Sequence, residues 1–283
     1  MSQPILDGDS SHEHVLQCME IWNGNQSVES IVSSPGMDVW IFSQTYHGQL
    51  QGGDVHYLSL CVGGIITRIL LADVAGHGDE VADTSQSLRQ LLRRFMNAKK
   101  QNRLVSELNR QFTELESQGR FATAIVATFL SHKSKLLLTN AGHPHPLFYQ
   151  RSADRWVYVN DAMLAAGQGD NLPFGLDSSS TYQHFVISVE AGDWLLLYTD
   201  SLTEAFNPSD EQLGEKGLMD LVQSISKADT ASSFGKELYQ RVQAYSKTVA
   251  ESDDSTLIAI RFTKDRRKPG ITERLRGYTK LFY

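Results

Sequence analysis

The sequence predicts an α+β domain in which two packed, mainly antiparallel sheets carry helices on their outer sides. Three observations lead there. Stretches of strand character come in blocks separated by blocks of helical period: strands, helices, strands, helices and one last strand. That order is not the regular strand–helix alternation of a parallel, doubly wound sheet. Within the blocks the strand segments are short, apolar or β-branched and mostly divided by turn residues, the pattern of an antiparallel meander. Their number, about nine, suits two sheets better than one.

The elements follow in order. Residues 1–34 are polar and irregular, with a short helix expected near Val15 to Ile21; the stretch reads as a flexible leader or as a segment laid across the domain. Pro35-Gly36 punctuates the chain, and Met37 to Tyr46 is the first expected strand. Two apolar runs around Gly63-Gly64 then form a hairpin, because a two-residue Gly-Gly loop favours a tight turn. After Gly78 the period changes: Val81, Leu88, Leu91, Leu92 and Phe95 recur at helical spacing, with Asp79 as the expected N-cap. Arg89, Arg93, Arg94, Lys99 and Lys100 read as the solvated face of that helix or as a docking face for an acidic partner. Asn102 opens a second helix with Leu104, Val105, Leu108, Phe112 and Leu115 on one side, antiparallel to the first. Strand segments return at Phe121–Leu130, Lys135–Asn140, Leu147–Gln150, Trp156–Val159, Tyr182–Val189 and Trp194–Thr199. Helices over Lys216–Ser226 and Ala231–Thr248 and a strand over Thr256–Phe262 complete the domain, residues 35–263. Beyond it, residues 264–283 hold seven Lys or Arg against two acidic residues, which reads as a solvated or packed tail or a docking segment.

Bulk composition narrows the function. At 283 residues, 41% hydrophobic and 21% charged, the chain has the balance of a globular protein with a sizeable core. A net charge of -7 argues against nucleic acid as the main partner. No apolar run approaches the roughly 20 residues that span a bilayer, and the N-terminus lacks the basic and apolar regions of a secretory signal. Cys18 and Cys61 are isolated, without C-x-x-C spacing, and read as reduced core thiols. The expectation is a cytoplasmic protein that engages neither membrane nor nucleic acid.

Chemistry enters through aspartates. If the Gly63-Gly64 loop sets the hairpin register, Val62 faces Ile65 and, counting outwards, Asp54 faces Asp73. Like charges directly opposite each other are destabilising, so the pair calls for solvent or a cation. Asp200 closes a buried-looking strand, and Asp253-Asp254 immediately precede the last one. Four strand ends thus carry carboxylates, and gathered in one cleft they could not all stay ionised without metal. Hard divalent cations with oxygen ligands, Mg²⁺ or Mn²⁺, fit that donor set, and two of them together can clamp a phosphoryl group. His77, in Gly76-His77-Gly78, reads either as a ligand or general acid or as a shaper of the turn. His143 and His145 lack zinc spacing and read as support for the cleft. There is no GxSxG elbow, no P-loop and no strand-linked GxGxxG.

Seven short motifs, in order, resemble one family. They are Gly52-Gly53-Asp54, Asp73-Val-Ala-Gly-His-Gly78, Phe121-Ala-Thr-Ala124, Asn140-Ala-Gly-His-Pro144, Leu172-Pro-Phe-Gly175, Tyr198-Thr-Asp-Ser-Leu-Thr-Glu-Ala205 and Asp253-Asp-Ser-Thr256. The family is the metal-dependent (type 2C-like) protein serine/threonine phosphatases, in their bacterial SpoIIE/RsbU branch. The resemblance implies an αββα sandwich with two Mn²⁺ or Mg²⁺ ions between the sheets. It implies that Asp73 bridges both ions, that Asp200 and Asp253 join it at one, and that Asp54 and the Val74 carbonyl serve the other. The position of Asp254 leaves it as the alternative to Asp253. The implied reaction is direct attack of metal-activated water on phosphoserine or phosphothreonine, without a phosphoenzyme. The implied substrate is a regulatory protein of the STAS (anti-anti-sigma) type. Three residues depart from the family pattern: Val55 and His56 follow Gly-Gly-Asp where aromatic residues are usual, and Ser201 replaces a glycine. A catalytically weak scaffold that binds a phosphoprotein, and a hydrolase of small phosphate esters, are the other readings.

Overall fold

The computed structural model describes residues 13–17, 20–61, 64–76, 79–95, 100–115, 119–160, 169–225, 228–246 and 253–264. Thirteen strands and four helices lie among them: β1 (Glu13–Val15), β2 (Ile21–Gly24), β3 (Val28–Ser34), β4 (Met37–Gln44), β5 (Asp54–Cys61), β6 (Ile66–Val74), α1 (Asp79–Phe95), α2 (Gln101–Leu115), β7 (Ala122–Leu130), β8 (Lys135–Ala141), β9 (Leu147–Gln150), β10 (Arg155–Tyr158), β11 (Phe185–Ser188), β12 (Trp194–Tyr198), α3 (Gly214–Ser224), α4 (Ala231–Tyr245) and β13 (Ser255–Phe262). One sheet has the order β1-β3-β4-β13-β12-β9-β10 and the other β11-β8-β7-β6-β5-β2. Every pair is antiparallel except β1 with β3.

Strand alternation sorts the apolar residues into layers. On β4 and β13, Val39, Ile41, Ile258 and Ile260 point inwards and meet Leu58, Leu60, Ile69, Leu71 and Ile125 of the other sheet. The opposite face of the first sheet packs Trp40, Leu196, Leu257 and Ala259 on Leu218, Val222, Phe234 and Leu238 of α3 and α4. The opposite face of the second packs Tyr57, Leu70 and Val126 on Leu88, Leu92, Leu104 and Leu108 of α1 and α2. Three apolar cores between four layers make the αββα sandwich that the motif resemblance implied. Close approach of α4 needs a glycine: a Cβ on Gly235 would lie 2.1 Å from the Trp40 ring.

Two expectations are corrected. The helix near Val15 to Ile21 does not form; β1 ends at Val15 and β2 begins at Ile21. Residues 13–34, read as a flexible leader or as a segment laid across the domain, are not a flexible leader but supply strands to both sheets, and β3 pairs with β4 from Val28↔Ser43 to Ser34↔Met37. The turn between those two strands is Pro35-Gly36, where proline presets its own φ and Gly36 takes φ 86°. Arg89 is also corrected: it is not on a solvated face, since its Nη1 donates to Asn25 Oδ1 at 2.6 Å. Arg93, Arg94 and Lys100 are exposed as expected, whereas Lys99, Cys18, the Asp79 side chain and residues 265–283 lie outside the described residues. Cys61 is buried and forms no disulfide among the described residues.

Candidate metal centre

The predicted register holds. Asp54 faces Asp73, and the ladder runs without a bulge to Cys61↔Ile66. Alternation then dictates where the carboxylates go. Leu58 and Leu60 of β5 and Ile69 and Leu71 of β6 face the inter-sheet core, so Asp54 and Asp73, an even number of residues away, face it too. The same parity carries Ser43 of β4, Thr123 of β7, Thr199 beyond β12 and Thr256 of β13 to that face. All sit at one end of the sandwich, where the apolar core stops and a polar floor begins.

Hydrogen bonds tie this floor across the sheets. Thr199 Oγ1 donates to Asp54 Oδ2 at 3.0 Å and accepts the Thr256 N–H at 2.9 Å. The Ser43 and Thr256 hydroxyls are 2.9 Å apart. Asp200 opens the single turn of 3-10 helix Asp200–Leu202, and its carbonyl accepts the N–H groups of Thr203 and Glu204 at 2.8 Å. Ser201, in place of a glycine, is buried in that turn and needs no left-handed backbone. Val55 and His56 are also buried, so neither can touch a substrate.

The electrostatics are those of crowded acids. Burial, then the charges of Asp200, Asp253, Asp254 and Glu204, push the Asp73 carboxyl up to about 8. Burial, then Asp73 and Asp254, hold the Asp54 carboxyl well above the usual range, against hydrogen bonds from Thr256 and Thr199 that lower it. Asp200 is raised by burial, and Glu204 by burial and the charges of Asp200 and Asp253. Among the described residues no Lys, Arg or His forms an ion pair with Asp54, Asp73 or Asp200. Also among them, no three His, Cys, Asp or Glu side chains close into a ready-made ion cage. The donors that gather here are carboxylate, hydroxyl and carbonyl oxygens, a set that fits a hard cation such as Mg²⁺, which keeps several of its waters.

Sequence and structure divide the other candidates. His77 lies outside the described residues. His143 is buried beneath the floor, its Nδ1 2.8 Å from Thr123 Oγ1 and its backbone bracketed by the Asn140 side chain. Thr123 is the register partner of Asp73, so His143 supports the site from behind, as expected. His145 lies 3.2 Å from Glu215, and its carbonyl accepts the Tyr198 hydroxyl. Thr199, Asn25 and Ser85 went unread in the sequence. Asn25 and Ser85 hold the Gly52 carbonyl at 3.2 Å each. Counting parity back from Leu195 and Leu197 would have found Thr199; nothing local marks the other two. A cavity of about 470 Å³ between β9–β10 and β11 contains none of these residues.

The profile of the family described as stage II sporulation protein E (SpoIIE) matches residues 66–263, more than half the chain. The chain belongs to the SpoIIE family. Protein IcfG of Synechocystis is 23% identical over 92% of this chain, which spans only 43% of IcfG. The RsbU and RsbW domains of Rv1364c from Mycobacterium tuberculosis superpose with TM-score 0.69 at 22% identity, covering 86% of this chain and 64% of that one. The PP2C phosphatase domain of SpoIIE from Bacillus subtilis, with a fragment of its regulatory domain, gives 0.63 at 17%, covering 81% and 64%. RsbX, solved in complex with magnesium, gives 0.58 at 14%, covering 83% and 100%. This SpoIIE-family chain therefore carries the PP2C-type phosphatase fold.

Proposed function

We propose that this SpoIIE-family chain is a metal-dependent protein phosphatase that hydrolyses phosphoserine or phosphothreonine on a regulatory protein, with a STAS-type protein as the substrate. One observation carries the reading: carboxylates from separate strand ends meet at one end of the inter-sheet core, where burial and then their mutual repulsion push Asp73 up to about 8. Buried, crowded acids of this kind are relieved by cations, and no basic side chain in the described structure supplies one. Asp73, Asp54, Asp200, Asp253 and the Val74 carbonyl would hold two Mn²⁺ or Mg²⁺ ions, and His77 would serve there as a ligand or general acid. Such ions neutralise phosphoryl oxygens and lower the pKa of a bound water. The protein's own part is to hold the carboxylates in place and aimed. Thr199 orients Asp54 by donating to its Oδ2. The buried His143–Thr123 pair fixes the strand beside Asp73.

A protein substrate rather than a small ester is supported by the company the fold keeps: the Mycobacterium tuberculosis neighbour joins an RsbU domain to an RsbW domain. Among the described residues no helix is long and apolar enough to cross a membrane, which agrees with a cytoplasmic partner. The test is release of phosphate from a phosphoserine-bearing STAS-type protein with Mn²⁺, repeated in EDTA and with Asp73→Asn. Release that needs the metal and is lost in the variant is the expected result. Ion binding and an intact fold without release from that protein would refute it and favour the scaffold reading.

A further inference from the structure

Asp253 and Asp254 are adjacent and alike, yet the fold uses them differently. Asp254 is 4% exposed, and both of its carboxylate oxygens are engaged. Oδ1 accepts the Tyr46 N–H at 2.7 Å and Oδ2 accepts the Gly53 N–H at 2.6 Å, the short distances of charge-assisted hydrogen bonds. Those two donors stand at the two ends of the β4–β5 connection, so a single carboxylate from the other end of the chain closes the loop. Gly52 completes the grip. A Cβ there would lie 2.4 Å from Oδ1 and 2.7 Å from Oδ2, so any side chain would drive the carboxylate off its donors.

From Gly53 the contact runs on to the metal centre. The Gly53 carbonyl accepts the Val74 N–H at 3.3 Å, and a Cβ on Gly53 would lie 2.8 Å from the Val74 carbonyl oxygen. Asp54 is the next residue in the chain. Gly53 thus stands between Asp254 and the two groups expected to share one ion. Asp253, by contrast, is partly exposed, and its Oδ1 accepts a local bond from the Asp254 N–H at 2.8 Å.

We propose that Asp254 is a positioning residue of the metal centre: it binds no ion, and through Gly53 it fixes Asp54 and the Val74 carbonyl for theirs. The metal half rests on the phosphatase reading; the clamp itself does not.

Two measurements separate them. In metal-free protein, amide hydrogen exchange at Tyr46 and Gly53 reports the clamp. Asp254→Asn puts an NH₂ against at least one N–H, and Gly52→Ala displaces the carboxylate without changing charge. Both variants are expected to speed exchange at Gly53 by at least about tenfold, while Asp253→Asn leaves it unchanged. Calorimetric titration with Mn²⁺ then reports the consequence. Asp254→Asn and Gly52→Ala should keep the wild-type number of ions and raise Kd about tenfold, which is about 1.4 kcal/mol. Asp253→Asn should lose an ion. Unchanged exchange in both clamp variants overturns the proposal, as does unchanged Kd. Loss of an ion in Asp254→Asn but not in Gly52→Ala would make Asp254 a ligand and overturn it too. Wild-type protein that binds no Mn²⁺ overturns the phosphatase reading, and the exchange data then decide the clamp alone.

Discussion

Replacing Asp73 by asparagine should stabilise the metal-free protein while removing the protein's response to metal. The folded Asp73 carboxyl binds its proton up to about pH 8, whereas an unfolded aspartate releases it near pH 4. Between those values the unfolded chain sheds a proton that the folded chain keeps, and folding stability falls by about 1.4 kcal/mol per pH unit. From about pH 4 to pH 7 the loss has a ceiling of roughly 4 kcal/mol. Asp73 is only partly buried and solvent screens its neighbours, so we halve the ceiling and expect a gain of about 2 kcal/mol for Asp73→Asn at pH 7. The assay is urea unfolding of both proteins in EDTA at about pH 5 and pH 7. Wild-type stability should drop between the two, and the variant's should drop less. With Mn²⁺ at about 100 times its Kd, the wild type should regain about 2.7 kcal/mol and the variant far less. A variant less stable than wild type in EDTA at pH 7 would refute the reasoning, because it would show that Asp73 is held by favourable contacts rather than crowded by charge.

Three other outcomes follow from single contacts. Thr199→Val keeps the shape but removes the donor to Asp54 and strands the buried Thr256 N–H, which should cost about 2–4 kcal/mol in urea unfolding. His143, lowered to about 3 chiefly by burial, should show ring NMR signals that do not titrate between about pH 5 and pH 8. Its contribution to stability is complete above about pH 6.5 and is lost progressively as pH falls towards 3. Gly235→Ala would press a methyl group into the Trp40 ring at 2.1 Å and should lower stability by about 1–3 kcal/mol, read as a shift in the unfolding midpoint at constant m-value.

The parts of the fold that were legible in the sequence are those where one face is buried and the period is clean. The β5–β6 register could be counted from Gly63-Gly64 to Asp54↔Asp73 because both strands are apolar on each face and carry no bulge. α1 and α2 could be read from Val81 to Phe112 because each lays one apolar stripe on a sheet. By contrast, β1, β2 and β3 are outer strands, and the β2 residues are all only partly buried. With Val32 the one fully buried side chain among the described residues of these strands, there is little alternation to see, and a polar stretch reads as a leader or as a segment laid across the domain. Arg89 was misread for a related reason. A basic residue on the polar side of a helix looks solvated until the chain brings Asn25 against it.

The acid cluster was legible as a set of strand ends, but its division of labour was not, because that division depends on contacts between distant segments. Asp253 and Asp254 cannot be told apart by spacing, whereas Tyr46 and Gly53, some 200 residues earlier, distinguish them at once. The same alternation that builds the inter-sheet core from Leu58, Leu60, Ile69 and Leu71 delivers Asp54 and Asp73 to its end. Fold and site therefore share one register. A slip of one residue between β5 and β6 would turn the apolar side chains outwards and part the carboxylates together. Placing acids at the rim of an apolar core raises their proton affinity, and that local cost is carried by the three cores around it. On the proposed reading a binding site for cations is the form in which such a cost becomes function, since every ion bound would return stability that the empty cluster gives up.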